Sequence, residues 1–445
     1  MRKVIAVVEK SKCYPDKCQH ECIKYDPLNK SGGEGFHIGP SGKSEISEEV
    51  VMEMHKISAK KCPFQAIHII NLPEKLKEEP IHKYGKNSFE LFSLPIIKPN
   101  TIVGVIGRNG IGKSSSLQLL TGTIRPNLGK YNEEVPEGAI IEKYSTTWIA
   151  DYFKKLLKKE IKISYKPQRV ELLTQIYKNH KVKELLEKVD ERKIVNELLK
   201  ELDISNIIDR NIEDLSGGEL QRVAIVAAAV KDADVYYFDE PSSFLDITHR
   251  IKAAKLIRNL SEKASVIVIE HDLATLDYIS DEIQIVYGEP ACYGIFSQSK
   301  AVRRGINDYM EGILPEENIR FRQYPIRFSE RPMERFVSKE ALITFPELEK
   351  NYKSFKLKTT SGLIHKGEVL AIMGANGLGK TTFLKLIAGL ETPDKGKVEK
   401  IKISYKPQYL NQNIEGTVQE YLRSIAGAEF DSGWYKTNIL EKTKH

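Results

Sequence analysis

Residues 107–115 read GRNGIGKSS, and residues 374–382 read GANGLGKTT. Both stretches fit the phosphate-loop pattern G-x-x-x-x-G-K-[ST], and each follows a short apolar run and precedes a run with helical spacing of apolar residues. Glycines let backbone N–H groups approach phosphate oxygens, and a helix N-terminus adds positive potential. The sequence therefore predicts two strand–loop–helix units that bind nucleotide.

A second repeat indicates two copies of one domain. The eight residues IKISYKPQ occur at 161–168 and again, letter for letter, at 401–408, which indicates an internal duplication. Short apolar runs such as TIVGVIG (101–107), SVIVIE (265–270) and VLAIMG (369–374) alternate with stretches whose apolar residues are three and four apart. Alternating strands and helices predict an α/β fold with a largely parallel sheet.

Composition restricts the class of protein. Of the 445 residues, 41% are hydrophobic and 29% are charged, which is typical of globular proteins and excludes a disordered chain. No apolar run approaches the roughly 18 residues that a membrane helix needs, and the first residues lack the pattern of a signal peptide. We therefore expect a cytosolic protein. The net charge of +7 suits an acidic partner such as RNA, and equally a solvated surface.

The cysteines are concentrated near the start of the chain. Cys13, Cys18, Cys22 and Cys62 lie in the first 62 residues, and the fifth, Cys292, lies far from them. Disulfides are rare in cytosolic proteins, so this spacing predicts a small cysteine domain. We expect Cys292 to be a core residue.

Each phosphate loop contributes a lysine and a hydroxyl. Lys113 and Lys380 are predicted to reach the β- and γ-phosphates, and Ser114 and Thr381 to supply a hydroxyl to Mg²⁺. The loop residues expected to bind ATP are Gly107, Arg108, Asn109, Gly110, Ile111, Gly112, Lys113, Ser114 and Ser115 in the first copy and Gly374, Ala375, Asn376, Gly377, Leu378, Gly379, Lys380, Thr381 and Thr382 in the second.

The first copy also contains an apolar strand that ends in two acids. In DVYYFDE (234–240), Asp239 is predicted to orient Mg²⁺ and Glu240 to act as the general base for an attacking water. LSGGELQR (215–222) precedes this strand, and His271 follows it at the end of the next predicted strand.

These motifs resemble those of ATP-binding-cassette (ABC) ATPases. The resemblance rests on LSGGELQR, YYFDEP (236–241), SSFLD (242–246), His271 and the glutamines Gln168 and Gln408. It implies that the two glutamines sense Mg²⁺ and the attacking water, and that His271 contacts the γ-phosphate. The signature residues implied to cover the γ-phosphate held by the opposing domain are Leu215, Ser216, Gly217, Gly218 and Glu219.

The same resemblance implies roles for six further residues. Leu245 and Asp246 are implied to cross the interface between the domains. The candidates for stacking on adenine are Tyr84 and Phe89 in the first copy and, as weaker equivalents, Phe345 and Phe355 in the second. Either aromatic pair is equally explained as part of a core.

Features outside the cassette core are similar to one family. KCYPDKCQHECIKYDPLNKSG (12–32), KKCPFQAIHIINLP (60–73), EEPIHKYGKNSFELFSLP (78–95) and the linker at 301–328 resemble the ribosome-recycling ABC ATPase subfamily E, also called the RNase L inhibitor family. TTWIADYFKKLL (146–157) resembles that family's helix–loop–helix insert, which contacts ribosomal RNA. The resemblance implies an ATPase that splits ribosomes, with the small ribosomal subunit, ribosomal RNA and a release or rescue factor as partners.

The resemblance also implies a domain order. A small α+β ferredoxin-like Fe–S domain at 1–72 precedes a first cassette at 73–297, with the insert at about 130–160, a hinge at 298–338 and a partial second cassette at 339–445. Only 37 residues follow Gln408, and no second LSGGE motif occurs. We expect a split or interrupted gene, in which the missing strands leave apolar edges exposed.

Several alternatives remain open at this point. The missing half could be a second chain that assembles in trans, two first cassettes could pair as a homodimer, or the reading frame could be truncated or frame-shifted. The rival functions are a ribosome-binding remnant that does not hydrolyse ATP, one half of a split recycling factor, and a soluble ATPase subunit of an ABC transporter.

The cysteine domain departs from the family, which holds two [4Fe–4S] clusters on two runs of four cysteines. Asp26, Met52, His55 and Ser58 occupy positions where the resemblance expects cysteine. In two-cluster ferredoxins the fourth cysteine of each run ligates the other cluster, so one complete ligand set remains. That set consists of Cys13, Cys18, Cys22 and Cys62. We predict one [4Fe–4S] cluster, with a tetrathiolate Zn²⁺ site or metal-free buried thiols as alternatives.

Overall fold

The computed structural model describes residues 4–72, 79–327, 340–352, 355–399, 402–407 and 416–440. The chain divides into two compact units, Met1–Met333 with Gly374–Asn376 and Glu334–Met373 with Gly377–His445. Each unit has a hydrophobic core of its own.

The first unit begins with a small α+β module. Its elements are β1 (Val4–Val8), α1 (Glu21–Lys24), α2 (Pro27–Lys30), β2 (His37–Ile38), β3 (Ser44–Glu45), α3 (Lys56–Lys61) and β4 (Ile67–Asn71). β1 pairs antiparallel with β4, with Val4 opposite Asn71 and Val8 opposite Ile67, and β2 pairs antiparallel with β3. The apolar faces of β1 and β4 close a core around Phe36, which is buried.

A larger α/β domain follows. Its strands are β5 (His82–Lys83), β6 (Glu90–Leu91), β7 (Ile102–Gly107), β8 (Ile163–Lys166), β9 (Val235–Asp239), β10 (Ser265–Ile269), β11 (Glu282–Glu289), β12 (Tyr293–Phe296), β13 (Lys300–Ala301), β14 (Ile313–Leu314) and β15 (Ile319–Arg320). Its helices are α4 (Lys113–Leu120), α5 (Ala139–Lys143), α6 (Trp148–Leu157), α7 (Leu172–Ile176), α8 (Val182–Val189), α9 (Val195–Glu201), α10 (Gly217–Ala229), α11 (Ile247–Leu260), α12 (Leu273–Ile279) and α13 (Val302–Glu311).

One mixed sheet organises this domain. Its order is β5-β6-β12-β11-β7-β10-β9-β8, with β13 paired to β11. The run from β11 through β7, β10 and β9 to β8 is parallel, which confirms the predicted α/β fold. β7, β9 and β10 are buried over their whole length, because helices cover both faces of the parallel part.

The parallel strands determine where the candidate site lies. Carboxyl ends of neighbouring parallel strands meet at one edge of a sheet, where ligands of α/β proteins bind. The phosphate loop follows β7, Gln168 follows β8, Glu240 follows β9 and His271 follows β10. The topology therefore brings residues from four distant stretches of sequence to one edge.

Two helices, α5 and α6, occupy the stretch for which a helix–loop–helix insert is predicted. Tyr152 and Phe153 of α6 are buried against the same core as α4. The Tyr152 hydroxyl lies 2.6 Å from the Leu120 carbonyl oxygen and 2.7 Å from the Tyr237 hydroxyl. The polar face of α6 remains exposed, including Lys154.

The second unit has a smaller described core. Its elements are β16 (Ala341–Phe345), β17 (Leu348–Asn351), β18 (Lys356–Thr359), β19 (Gly362–His365), α14 (Lys380–Ile387), α15 (Val418–Ala426) and α16 (Gly433–Tyr435). β16 pairs antiparallel with β19 and β17 with β18. Ile343, Leu348 and Leu386 form its buried centre.

One strand prediction is wrong in this unit. Residues 369–374, VLAIMG, are not a strand, and Val369 and Met373 are 80% and 78% exposed. The corresponding β7 of the first unit is hydrogen-bonded on both sides, by β10 and β11. In the described part of the second unit no strand pairs with 369–374, so the backbone lacks the neighbours that a central strand requires. Apolar side chains of this stretch are exposed as a result.

Candidate nucleotide site and candidate metal centre

The first phosphate loop connects β7 to α4. Gly112, which precedes the helix, has a φ of +91°, a left-handed conformation that glycine adopts without strain. A Cβ on Gly112 would lie 2.7 Å from Cζ of Phe89. The loop therefore needs glycine at this position both for its conformation and for space.

Lys113 crosses the loop with its side chain. Its Nζ donates to the carbonyl oxygens of Gly107 and Arg108, at 2.7 and 2.8 Å. Burial lowers the pKa of Lys113 to about 8, although the nearby carboxylates Glu240 and Asp239 favour its charged form. Charged phosphate oxygens are stronger hydrogen-bond acceptors than neutral carbonyl oxygens. The Lys113 amine is therefore placed to exchange its two carbonyl acceptors for phosphate oxygens.

A cavity of about 550 Å³ adjoins the loop, within the range of small-molecule sites. Ten predicted residues line it, namely Tyr84, Phe89, Asn109, Gly110, Gly112, Lys113, Ser114, Ser115, Gln168 and Glu240, and Ala291 completes the lining. Tyr84 is half-exposed and donates a 2.9 Å hydrogen bond to Ser115 Oγ, whereas Phe89 packs on the loop glycine. Among the other predicted loop residues, Ile111 is buried in the core.

Asp239 ends strand β9 as a buried carboxyl group. Burial raises its pKa, against the opposing effect of the Ser114 hydroxyl. Within the described residues, Oδ2 of Asp239 is buried without a hydrogen-bond partner. An orphaned carboxylate oxygen beside a serine hydroxyl is the oxygen-donor chemistry that Mg²⁺ prefers, so Asp239 and Ser114 fit this ion.

The carboxylate of Glu240 lies beside two nitrogen donors from the loops that follow the neighbouring strands. Nε2 of Gln168 donates to its Oε1 at 2.8 Å, and Nε2 of His271 lies 3.4 Å from the same oxygen. The hydrogen bond from His271 lowers the pKa of Glu240, with Gln168 and Lys113 contributing in the same direction. Glu240 is therefore a carboxylate at neutral pH and is able to accept a proton.

Two functional candidates were not predicted from the sequence. Lys166 and Gln221 are buried, and both donate hydrogen bonds to the carbonyl oxygen of Glu240, from Lys166 Nζ at 3.2 Å and from Gln221 Nε2 at 2.8 Å. One signal was available: Lys166 is a charged residue within the otherwise strand-like repeat IKISYKPQ, and such a residue needs a partner when buried.

The signature residues form the start of helix α10. The hydroxyl of Ser216 accepts from the Glu219 N–H at 3.4 Å, and Glu219 Oε2 accepts from the Ser216 N–H at 2.8 Å, which is a capping box. Residues 215–219 do not line the cavity at Lys113. Leu245 is buried, and Asp246 caps helix α11.

The second phosphate loop repeats the local geometry of the first. Gly379 precedes α14 with a φ of +91°, and a Cβ there would lie 2.8 Å from Cζ of Phe355. Phe355 therefore corresponds to Phe89. Its stacking partner is Tyr352, with ring centroids 6.3 Å apart.

Phe345 is a core residue, which was the alternative left open for it, and is not a counterpart of Tyr84 at the second loop. Phe345 is buried and meets the ring of Phe383 edge-on at 5.6 Å, because it faces inward from β16. Gln408 lies outside the described residues. The lysine Lys380 and the hydroxyl of Thr381 lie at the start of α14, as their counterparts do in α4.

Four cysteines meet in the N-terminal module. Cys13, Cys18, Cys22 and Cys62 line one small cavity, and all are free of disulfides. The Ser44 N–H donates to Cys13 Sγ at 3.4 Å, the kind of bond that tunes cluster sulfurs. Burial raises the pKa of Cys18 and Cys22, and the other cysteines raise it further. A cationic centre would offset this repulsion between thiolates, so the four residues fit a metal group.

The four positions at which the resemblance expects further cysteines hold other residues, and three of these residues form a buried polar core. Asp26, His55 and Ser58 are fully buried. Asp26 accepts from the Leu28 N–H at 2.7 Å and from the Ser58 hydroxyl at 3.3 Å, and His55 Nε2 lies 3.8 Å from its Oδ2. Met52 is exposed. These side chains offer no thiolate. Cys292 is buried in the core, as predicted.

The fold and the site define an ATP-binding-cassette protein. The family described as ABC transporter matches residues 95–243 and 357–434, and the one described as a possible Fer4-like domain in RNase L inhibitor matches residues 4–34. None of the described helices combines the length and the hydrophobicity that a membrane span requires.

Three similar proteins identify the family. Translation initiation factor RLI1 of Chaetomium thermophilum is 39% identical, over 99% of this chain and 73% of its own length. A model of ribosome-bound archaeal Pelota and ABCE1 matches with TM-score 0.92 and 46% identity, over 99% of this chain and 74% of that chain. A complex of the archaeal ribosomal stalk protein aP1 and the recycling factor aABCE1 matches with TM-score 0.73 and 48% identity, over 82% and 71%. The chain belongs to the ABCE1, or RNase L inhibitor, family.

Proposed function

We propose that the chain is an ATP-dependent translation factor that splits ribosomes into subunits. The observation that carries this proposal is the match, over 99% of the chain at TM-score 0.92, to a ribosome-bound ABCE1. The proposed partners are the small ribosomal subunit, ribosomal RNA and a release or rescue factor, and the proposed location is the cytoplasm. The exposed lysines of α6, including Lys154 and Lys155, are suited to phosphate contacts with RNA.

The proposed chemistry is in-line attack of water on the γ-phosphate of ATP. Glu240 takes the proton from the attacking water, since its carboxylate is ionised and carries the donors Gln168 and His271. Lys113 and His271 stabilise the charge that develops on the phosphoryl oxygens. Ser114 and Asp239 hold Mg²⁺, which neutralises phosphate charge when bound.

We assign a second ATP to the loop from Gly374 to Thr382, with Lys380 on the phosphates and Thr381 toward Mg²⁺. The support is the repeated geometry at Gly379, including the aromatic packing. The signature residues, Leu215–Glu219, are proposed to contact the γ-phosphate of a nucleotide other than the one at Lys113, because they do not line that cavity. Gln408 keeps its proposed role as a sensor.

We assign one [4Fe–4S] cluster to Cys13, Cys18, Cys22 and Cys62. The support is their convergence on one cavity and the match of residues 4–34 to the family described as a possible Fer4-like domain in RNase L inhibitor. Bound there, the cluster supplies a rigid covalent link between the start of the module and the segment before β4. The polar core around Asp26 supports a count of one cluster.

Co-sedimentation tests the proposal against its rivals. Cell extract containing tagged chain is fractionated on a gradient with ATP or with ADP. We expect the chain with small ribosomal subunits in ATP; recovery with membranes would favour a transporter subunit. ATP binding without phosphate release at saturating ribosomes would favour a remnant that does not hydrolyse ATP.

A further inference from the structure

Glu240 is carried by an unusual stretch of backbone. Its φ is +48°, in the left-handed region that residues with a side chain uncommonly adopt. Its N–H donates to the Ile269 carbonyl oxygen at 2.9 Å. The conformation turns the chain out of strand β9 and directs the carboxylate toward Gln168 and His271.

Two buried side chains hold the three carbonyl groups of this turn. Nζ of Lys166 donates to the carbonyl oxygens of Asp239 and Glu240, at 2.8 and 3.2 Å. Nε2 of Gln221 donates to those of Glu240 and Pro241, at 2.8 and 2.9 Å. Every carbonyl from Asp239 to Pro241 therefore accepts a hydrogen bond from one of two side chains that belong to other elements.

A lysine side chain at this buried position opposes folding unless other groups stabilise its charge. Lys166 is 1% exposed, and the ion pairs between described residues do not include it. Its charge is held by carbonyl dipoles and by the longer-range attraction of Asp239, with smaller contributions from Glu270 and Glu240. Strand packing alone does not require a cation here.

We propose that Lys166 is a positioning residue for ATP hydrolysis, and that with Gln221 it clamps the Asp239–Pro241 turn so that the Glu240 carboxylate stays aimed at the attacking water. The clamp couples β8, which leads into Gln168, to β9, which leads into Glu240. The inference rests on the proposed ATPase function, since it names how the base of that reaction is held.

Matched variants separate this role from simple stability. Lys166→Met removes the donors and the charge but keeps the length of the side chain. Lys166→Arg restores donors and charge. Lys162→Met is the control, because Lys162 is an exposed lysine four residues earlier that pairs with Asp232.

Two measurements are made on the full chain with ribosomes. The first compares Kd for MgATP with the rate of phosphate release. We expect Lys166→Met to change Kd less than threefold while phosphate release falls at least tenfold, Lys166→Arg to recover at least half of the rate, and Lys162→Met to match the wild type. The second is hydrogen–deuterium exchange, in which Lys166→Met should speed exchange at residues 240–245 and not in helix α4.

The outcomes are distinguishable. Phosphate release by Lys166→Met at the wild-type rate, or unchanged exchange at 240–245, overturns the positioning role. Faster exchange throughout the domain would also overturn it, in favour of a general structural role. If the wild type binds ATP but releases no phosphate, the proposed hydrolysis fails, and the exchange experiment still decides whether Lys166 holds the turn.

Discussion

The side-chain amide of Gln168 donates a 2.8 Å hydrogen bond to Oε1 of Glu240, across 72 positions of sequence. Parallel pairing of β8 with β9 makes this possible, because it places the two strand ends side by side. His271 approaches the same oxygen from the loop after β10. The candidate base is thus held by residues from the two strands that flank its own.

Glu240→Gln tests the role of the base. The amide is isosteric and still able to bond Gln168, but it cannot take a proton. We expect phosphate release to fall by roughly 100-fold or more, with ATP affinity retained or increased. Phosphate release and equilibrium binding of a fluorescent nucleotide are the measurements. Release at a rate within threefold of the wild type would exclude Glu240 as the base.

The affinity for ATP at the first site should fall at alkaline pH. Burial lowers the pKa of Lys113 to about 8, so above pH 8 the free protein holds a neutral amine. Binding of phosphate favours the charged form and must then take up a proton, which weakens affinity by about tenfold at pH 9 relative to pH 7. Lys113→Arg stays charged and should show no such slope. Equal wild-type affinities at the two pH values would contradict the prediction.

Iron content tests the cysteine assignment. Anaerobic purification should yield about four irons and four sulfides per chain, since one complete ligand set is present. Cys62→Ser should lose most of the iron, whereas Cys292→Ala, which changes a core cysteine remote from the others, should retain it. About eight irons, or one zinc, would refute the assignment.

The polar core that replaces the second ligand set should contribute to stability. Asp26→Ala removes the cap of α2 and leaves the Ser58 hydroxyl without its buried acceptor. We expect a loss of about 1–3 kcal/mol, measured as a lower urea midpoint for iron release. Asp16→Ala, at an exposed acid in the same module, is the control and should not shift the midpoint. Equal midpoints for the two variants would show that the core is dispensable.

The repeated octapeptide shows how far sequence alone predicts structure. In the first copy, Ile163–Lys166 form strand β8 beside β9. In the second copy the described residues 402–407 are not a strand and are largely exposed. The letters are identical, so the difference comes from the neighbours: a strand forms where a partner backbone accepts its hydrogen bonds. The same local pattern therefore forms a strand in the first copy, where a partner strand is present.

The site residues also divide into those that the sequence predicted and those that it did not. The phosphate loops, Asp239 and Glu240 were predicted because their motifs are local, and the role of His271 was implied by the resemblance to ABC ATPases. Lys166 and Gln221 were missed, since what they contact is a backbone turn that sequence does not display. Tyr352 was missed for a similar reason: only the folded loop at Gly379 reveals which aromatic ring packs beside Phe355.

Splitting of ribosomes tests the central claim most directly. Intact ribosomes, the chain, ATP and a release or rescue factor are mixed, and light scattering follows subunit separation. We predict separation with the wild-type chain and ATP, and none with Glu240→Gln under multiple-turnover conditions or with ADP. Ribosomes that stay intact with the wild type and ATP, in a mixture where the chain is bound to them, would contradict the account.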